Sequence, residues 1–515
     1  MQHSEELSKI ADALQELETE YEKRTWTQYT TGFDFGVATA FENYVSLLKN
    51  KEHWLVIRQI LEKNRDPLLA REAKILENHF KPFHQSESIS RLSVEIQNLS
   101  TKLSSVLNSF RYTVNGREMT SPDIANILST NPDRNLRKTA FLSRNQISRP
   151  LVEAGFLDLV KLRKQLASEM GAATFVEYSL KEQELDPDMF SSWQGELSHI
   201  LPLMQKTRAE IAGRYTGEQA VMPWDEAFIA SSIAPELNAP VNMSDFLKPV
   251  GALFQKFGFD ISAMNITYDV FPRKNKSEWG YNFTIQNGID SRILANVKDR
   301  FSEFGVLLHE TGHAVHSFTV NPDEIILNMG ISGIVSEGIA NLFGSFRVRE
   351  EFYSPFFTEN TETARQHFSE LNRWTRASQL YALGRIFFDQ KLYTTDLETL
   401  DDINNLFWEN RQSLFGEEPY ADQPVWANTI HYTTHPIYLH NYLLGDLTCD
   451  MLEEVFLRRE SVSAITQNPE AFGRFITDEV VKPSGRYPFP ELFRRISGGE
   501  LSLSFLTRKI RDTLM

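Results

Sequence analysis

Residues 304–316 read Phe-Gly-Val-Leu-Leu-His-Glu-Thr-Gly-His-Ala-Val-His, and no other stretch restricts the fold of this chain so tightly. Positions four apart lie one above the other on an α-helix, so a helix turns His309 and His313 to the same face. The apolar residues around them require that helix to be packed. Two imidazoles so placed can share one ion, whereas Glu310 falls beside them, where it can take a proton from a water that the ion activates. The spacing predicts a buried helix carrying part of a zinc site, with Glu310 as general base.

A catalytic zinc takes three protein ligands and keeps one position open. An extension of the motif along the same helix would need Gly at 316 and His at 319, but those positions hold His316 and Thr319. The third ligand therefore comes from elsewhere. In Ile331-Ser-Gly-Ile-Val-Ser-Glu-Gly-Ile-Ala-Asn-Leu-Phe343, Glu337 starts an apolar, helix-compatible run after a glycine-containing turn. A second helix crossing the first would deliver that carboxylate, completing a His309, His313, Glu337 set for one Zn(2+) per chain; Glu324 is a weaker rival. His316, two turns beyond His309, is too far along the helix for the same ion and is read as structural.

The 515 residues leave room for one large multi-lobed unit or several domains, and 41% hydrophobic with 24% charged residues is the balance of an ordinary globular protein. A net charge of −16 disfavours nucleic acid and anionic membrane as partners. The acidic, helical N-terminal segment lacks the features of a signal peptide, and no apolar run approaches the roughly 20 residues of a membrane span. Cys449 is the single cysteine, so no internal disulfide can form. Together these features point to a cytoplasmic protein.

Positions 1–215 read mainly as amphipathic helices; Leu7, Ile10, Leu14 and Leu17 mark one such stripe. Asn115-Gly116, between alternating residues, predicts a small hairpin over Arg111–Met119. Periodicity fades between Gly217 and Asp245, which predicts a loop and a lobe boundary, dividing the chain into an N-terminal helical lobe, 1–215, and a catalytic lobe, 216–515. A helical pattern returns over Asn242–Gly258. Strand-like runs at Tyr281–Ile285 and Arg292–Val297, separated by Asn287-Gly288, predict a short sheet just before the motif helix.

The motif resembles that of the thimet oligopeptidase and oligoendopeptidase F family of zinc peptidases, closer to the oligoendopeptidase F branch. His309, Glu310, Gly312, His313 and His316 match the family pattern, and Glu337 lies at the expected distance. Asn115-Gly-Arg-Glu, Asn131-Pro-Asp-Arg-Asn-Leu-Arg137, Tyr268-Asp-Val-Phe-Pro-Arg-Lys274, Ile293-Leu-Ala-Asn296, Trp426–Gly445 and Pro483-Ser-Gly-Arg-Tyr-Pro488 extend the likeness over roughly residues 110 to 500. The resemblance implies a mainly α fold, a two-lobed helical ellipsoid with a deep substrate channel and a small β-sheet next to the zinc site. It further implies hydrolysis of short unstructured peptides. The chain departs from the family after Glu337, where Ala340 and Gly344 stand in place of a hydroxyl residue and a second acid. Asn341, one turn beyond Glu337, is a candidate substitute.

Peptide hydrolysis puts negative charge on the former carbonyl oxygen, and preset hydrogen-bond donors stabilise it. Trp426–Gly445 concentrates histidines and tyrosines. The resemblance implies that His431 contacts substrate backbone and that Tyr438 or Tyr442 donates to the oxyanion; His435 is an alternative to His431, and His440 stands where the family often has Tyr. Two further readings stand beside the endopeptidase. One is a carboxypeptidase of the same chemistry, with Arg486 as the candidate cation for a terminal carboxylate. The other is an inactive zinc-containing protein that binds peptides.

Overall fold

The computed structural model describes residues 2–277 and 280–515 and is built almost wholly from helices, with two small sheets. The chain forms two compact units, each assembled from three separate stretches of sequence: residues 1–85, 236–358 and 444–501 make the first, and residues 86–235, 359–443 and 502–515 the second. A division at residue 215 differs from this arrangement. One crossing, between Pro235 and Glu236, does fall inside the Gly217–Asp245 stretch. That stretch is less loop-like than its composition suggests, since it holds a helix, Glu226–Ile233, and two 3-10 turns. Arg134 and Arg137 bond Asp225 at 2.7 and 2.9 Å just ahead of that helix, so tertiary ion pairs order a segment with little periodicity of its own.

In the first unit, the predicted stripe packs as expected: Leu7, Ile10 and Leu14 are buried against Ile57, Ile75, Leu76 and Phe80. Leu17 is only partly buried. Strands β3 (Ile266–Asp269), β4 (Tyr281–Gln286) and β5 (Asp290–Leu294) form a mixed sheet in the order β3-β5-β4, with β3 parallel and β4 antiparallel to β5. Gly288, at φ +73°, makes the turn between β4 and β5. Phe283 and Ile285 alternate inward on β4 and join Trp26 and Leu294 in a small core. The outer edge of β4 has no strand partner among the described residues.

In the second unit, β1 (Tyr112–Val114) and β2 (Arg117–Met119) pair as the predicted hairpin, and Asn115 and Gly116 both take positive φ, 50° and 75°. The remainder of that unit is helical, its longest helix running from Trp193 to Thr216. Among the described residues, no helix is long and apolar enough to cross a membrane.

Candidate metal centre

The motif lies on the helix Phe304–Thr319, and Glu337 lies on the helix Gly333–Gly344, whose start is capped by the Ser332 hydroxyl. Glycine allows the two to approach at their crossing. A Cβ on Gly312 would sit 2.9 Å from the Ala340 Cα, and one on Gly344 would sit 3.3 Å from the His309 Cβ. The opposite side of the Glu337 helix meets the helix that ends at Glu460 in the same manner: a Cβ on Gly445 would lie 2.9 Å from the Glu337 Cβ, and one on Gly338 2.5 Å from Thr448 Cγ2. Backbone contact on both sides fixes where the Glu337 carboxylate points.

The crossing brings His309, His313 and Glu337 together, with one ligand atom of each within 4.8 Å of the others. His309 Nε2 and His313 Nε2 are 3.2 Å apart, and the Glu337 oxygens lie 3.8 and 3.7 Å from them. Ligands at about 2.0–2.1 Å around a tetrahedral zinc are separated by about 3.3 Å, so the three donors are spaced for such an ion. Burial holds both histidines neutral, with His309 lowered to about 4 and His313 to about 3, which leaves their lone pairs free to bind metal. His313 Nδ1 lies 2.7 Å from Ser336 Oγ, which leaves Nε2 facing the site.

Glu310 is partly buried beside the trio, and desolvation, reinforced by the Glu337 carboxylate, pushes its carboxyl up to about 7. The strand side of the site is close, because a Cβ on Gly280, just before β4, would lie 4.0 Å from Glu310 Oε1. Asn341 bonds His309 and donates its Nδ2 to Asp446 Oδ1 at 3.1 Å, which places it in the orienting position expected of it. Asp446 and Ser336 were missing from the sequence reading. Ser336 offered a signal, being next to Glu337; Asp446 offered none, since only the fold brings it near.

His316 is buried, with its Nε2 unpartnered. Glu324 is taken by Arg486, so neither the rival ligand nor the candidate terminal-carboxylate cation stands free.

The second unit gathers the other candidates. His431 Nε2 and the Tyr442 hydroxyl are 3.2 Å apart, the Tyr438 ring stacks at 6.4 Å from His431, and the two tyrosine rings meet at 5.6 Å. The tyrosines do not share one helix: Tyr438 precedes the helix His440–Glu460, separated from it by Leu439, and follows Ile437, which is held at φ +52°. Both rings are substantially exposed, 38% and 46%, and so are not core. His435 Nδ1 lies 2.7 Å from Thr434 Oγ1. His440 is buried against Gln183, with Nε2 3.1 Å from its Oε1. That contact gives it a packing role.

No protein-family model matches the sequence, and no curated protein matches it either. Among solved structures, PZ peptidase A with an inhibitor superposes with a TM-score of 0.71 at 16% identity, over 100% of this chain and 98% of that one. A protein assigned as oligoendopeptidase F gives 0.70 at 15% identity, over 100% and 96%. The chain has the oligoendopeptidase F fold. At this identity the likeness carries the fold alone, and the chemistry must be argued from the residues. Within the oligoendopeptidase F fold, those residues are the four converging side chains on two crossed helices.

Proposed function

We propose that this chain is a zinc-dependent oligoendopeptidase that hydrolyses peptide bonds in short unstructured peptides. The observation that carries the reading is the spacing of the His309, His313 and Glu337 donors, matched to one tetrahedral ion, with the partly buried Glu310 next to them. When bound there, zinc would supply a Lewis acid that polarises the scissile carbonyl and acidifies the attacking water.

The protein's own groups do the rest. The edge of β4 that has no strand partner among the described residues, on a strand that starts beside Glu310, can receive an extended peptide by main-chain hydrogen bonding, a mode that is indifferent to side chains. The Glu310 carboxylate takes the proton of the attacking water and later delivers it to the leaving amine, so that no covalent enzyme intermediate is needed. Burial keeps the carboxyl's proton affinity close to what a base that must also act as an acid requires. Ser336 and Asn341 hold the two imidazoles in place. His431 is assigned to substrate backbone, and Tyr438 or Tyr442 to the oxyanion.

The test is metal analysis with a quenched-fluorescent peptide assay on wild type and Glu310→Gln. Zinc is retained in the variant while kcat falls at least about 100-fold. An unaffected variant would remove Glu310 from the mechanism, and a zinc-bearing protein that binds peptides without turnover would be a scaffold. Mass spectrometry of products from a decapeptide, free and C-terminally amidated, separates internal cutting from stepwise trimming.

A further inference from the structure

A cavity of about 300 Å³ adjoins the metal-binding trio and includes His309 and Glu310 in its wall. Arg347 and Asn341 also line it, and Gly305 and Gly344 leave its walls bare. Any side chain at Gly305 would close on Arg347, since even a Cβ there would lie 2.7 Å from its Nη1. The space exists because two positions carry no side chain, and the one permanent cation among the described residues of its wall is a guanidinium.

That guanidinium is under-used. Arg347 follows the Glu337 helix on the 3-10 turn Ser345–Val348, and its Nη1 donates to the Ser302 carbonyl at 3.3 Å. Its Nε is shut off from solvent and has no partner. Glu303 acts on it from a distance, but the Glu303 carboxylate bonds Arg300 at 2.6 Å. Burying a cation with donors unfilled is costly, and its position beside the first turn of the Phe304–Thr319 helix adds the unfavourable end of a helix dipole. The electrostatic part of this cost is relieved by one kind of guest, although Nε, shut off from solvent, stays out of its reach. A carboxylate matches the planar guanidinium fork and takes charge-assisted bonds from it. The volume suits a side chain or a chain terminus, and the shared wall with Glu310 makes the guest part of the peptide being cut.

We propose that this cavity is a carboxylate-binding subsite, with Arg347 as its cation, selecting peptides that carry an acidic group near the cut bond. The inference rests on the peptidase reading. Two sources share the chemistry, an Asp or Glu side chain and the peptide's own C-terminal carboxylate.

The experiment uses a set of quenched decapeptides in which each position near the cut is Glu or Gln, each made as free acid and as amide. kcat/KM is measured for the zinc enzyme, for Arg347→Gln and for Arg347→Lys, with melting curves to check folding. Affinity of the zinc-stripped wild type and Arg347→Gln for the same peptides is read by fluorescence anisotropy. The expected result is a preference on the order of tenfold for the carboxylate member of one pair, collapsing toward unity in Arg347→Gln and partly kept in Arg347→Lys. A Glu-over-Gln preference identifies a side chain; an acid-over-amide preference identifies the terminus. The proposal is overturned if the wild type shows no preference in cleavage or binding, a result that needs no variant to fold, or if Arg347→Gln keeps the preference. Absence of turnover on every peptide would sink the peptidase reading instead, and the anisotropy ratios would still decide the subsite.

Discussion

A tyrosine hydroxyl assigned to an oxyanion must be open to solvent and held in direction; Tyr442 is partly exposed, and His431 Nε2 approaches its hydroxyl at 3.2 Å. Tyr438 meets the first and is held by stacking on the same imidazole. Burial lowers the His431 pKa, so its ring is more readily neutral; in the tautomer protonated at Nε2 it donates to the phenol oxygen and leaves the hydroxyl proton for the oxyanion. Removing a donor that acts only in the transition state lowers kcat and kcat/KM together. One of Tyr438→Phe and Tyr442→Phe is therefore expected to lose about 100-fold in both, with zinc content and melting unchanged. If both variants keep wild-type kcat, the tyrosines have no such role. At this scale the sequence was readable wherever chemistry follows helical spacing, as with His309 and His313. It was mute for Asp446 and Arg347, whose importance comes from side chains that the fold alone brings near.

Among elements, the crossing of the motif helix and the Glu337 helix sets the site, and glycine permits it. The Ala340 backbone is the surface that Gly312 packs on, 2.9 Å from where its Cβ would be. Asn341, on the next position, carries the hydrogen-bonding duty toward His309. Adding a methyl at Gly312 must push backbone, not a flexible side chain, and overpacking of this kind costs about 1–3 kcal/mol. Gly312→Ala should therefore lower the melting temperature, and it should weaken zinc binding by displacing Glu337 from the two imidazoles. Competition with a chromogenic chelator measures the second effect; unchanged zinc affinity would mean that the crossing does not control the ligand spacing. The elements themselves were legible where periodicity is strong, as in the hairpin at Asn115-Gly116. The Glu226–Ile233 helix was missed because it is short, and Asp225 ahead of it is held by Arg134 and Arg137, which are remote in sequence.

Across the whole molecule, the two units are discontinuous in sequence, so the composition break over Gly217–Asp245 could mark only the crossing at Pro235 and Glu236 and not the others. Their stabilities are nonetheless tied to pH by a desolvated acid in each. In the first unit, burial and the neighbouring Glu18 push Glu22 up to about 7. In the second, burial pushes Asp389 up to about 7 against its ordinary 3.8, opposed by the Ile437 N–H bond and by Arg163. Asp389 Oδ2 accepts the Ile437 N–H at 2.8 Å, and Oδ1 has no partner. It thereby helps hold Ile437 at positive φ, an unusual conformation for a β-branched residue, immediately before Tyr438. A carboxyl with a raised folded pKa binds its proton more tightly in the native state than in the unfolded chain. Native stability therefore falls as pH rises from the unfolded value, near 4, through the folded value, near 7, and levels off above it. The full shift corresponds to an upper bound of about 4 kcal/mol. Asp389→Asn keeps an oxygen for the Ile437 N–H and removes the titration. The variant should gain stability relative to wild type as pH goes from 5 to about 8, read as a widening difference in urea midpoints; only below about pH 4, where the carboxyl is protonated in both states, does the difference reflect the amide's new donors alone. A difference that stays constant across that range would mean that Asp389 does not change protonation there, and that its hold on Ile437 is that of a permanently charged group.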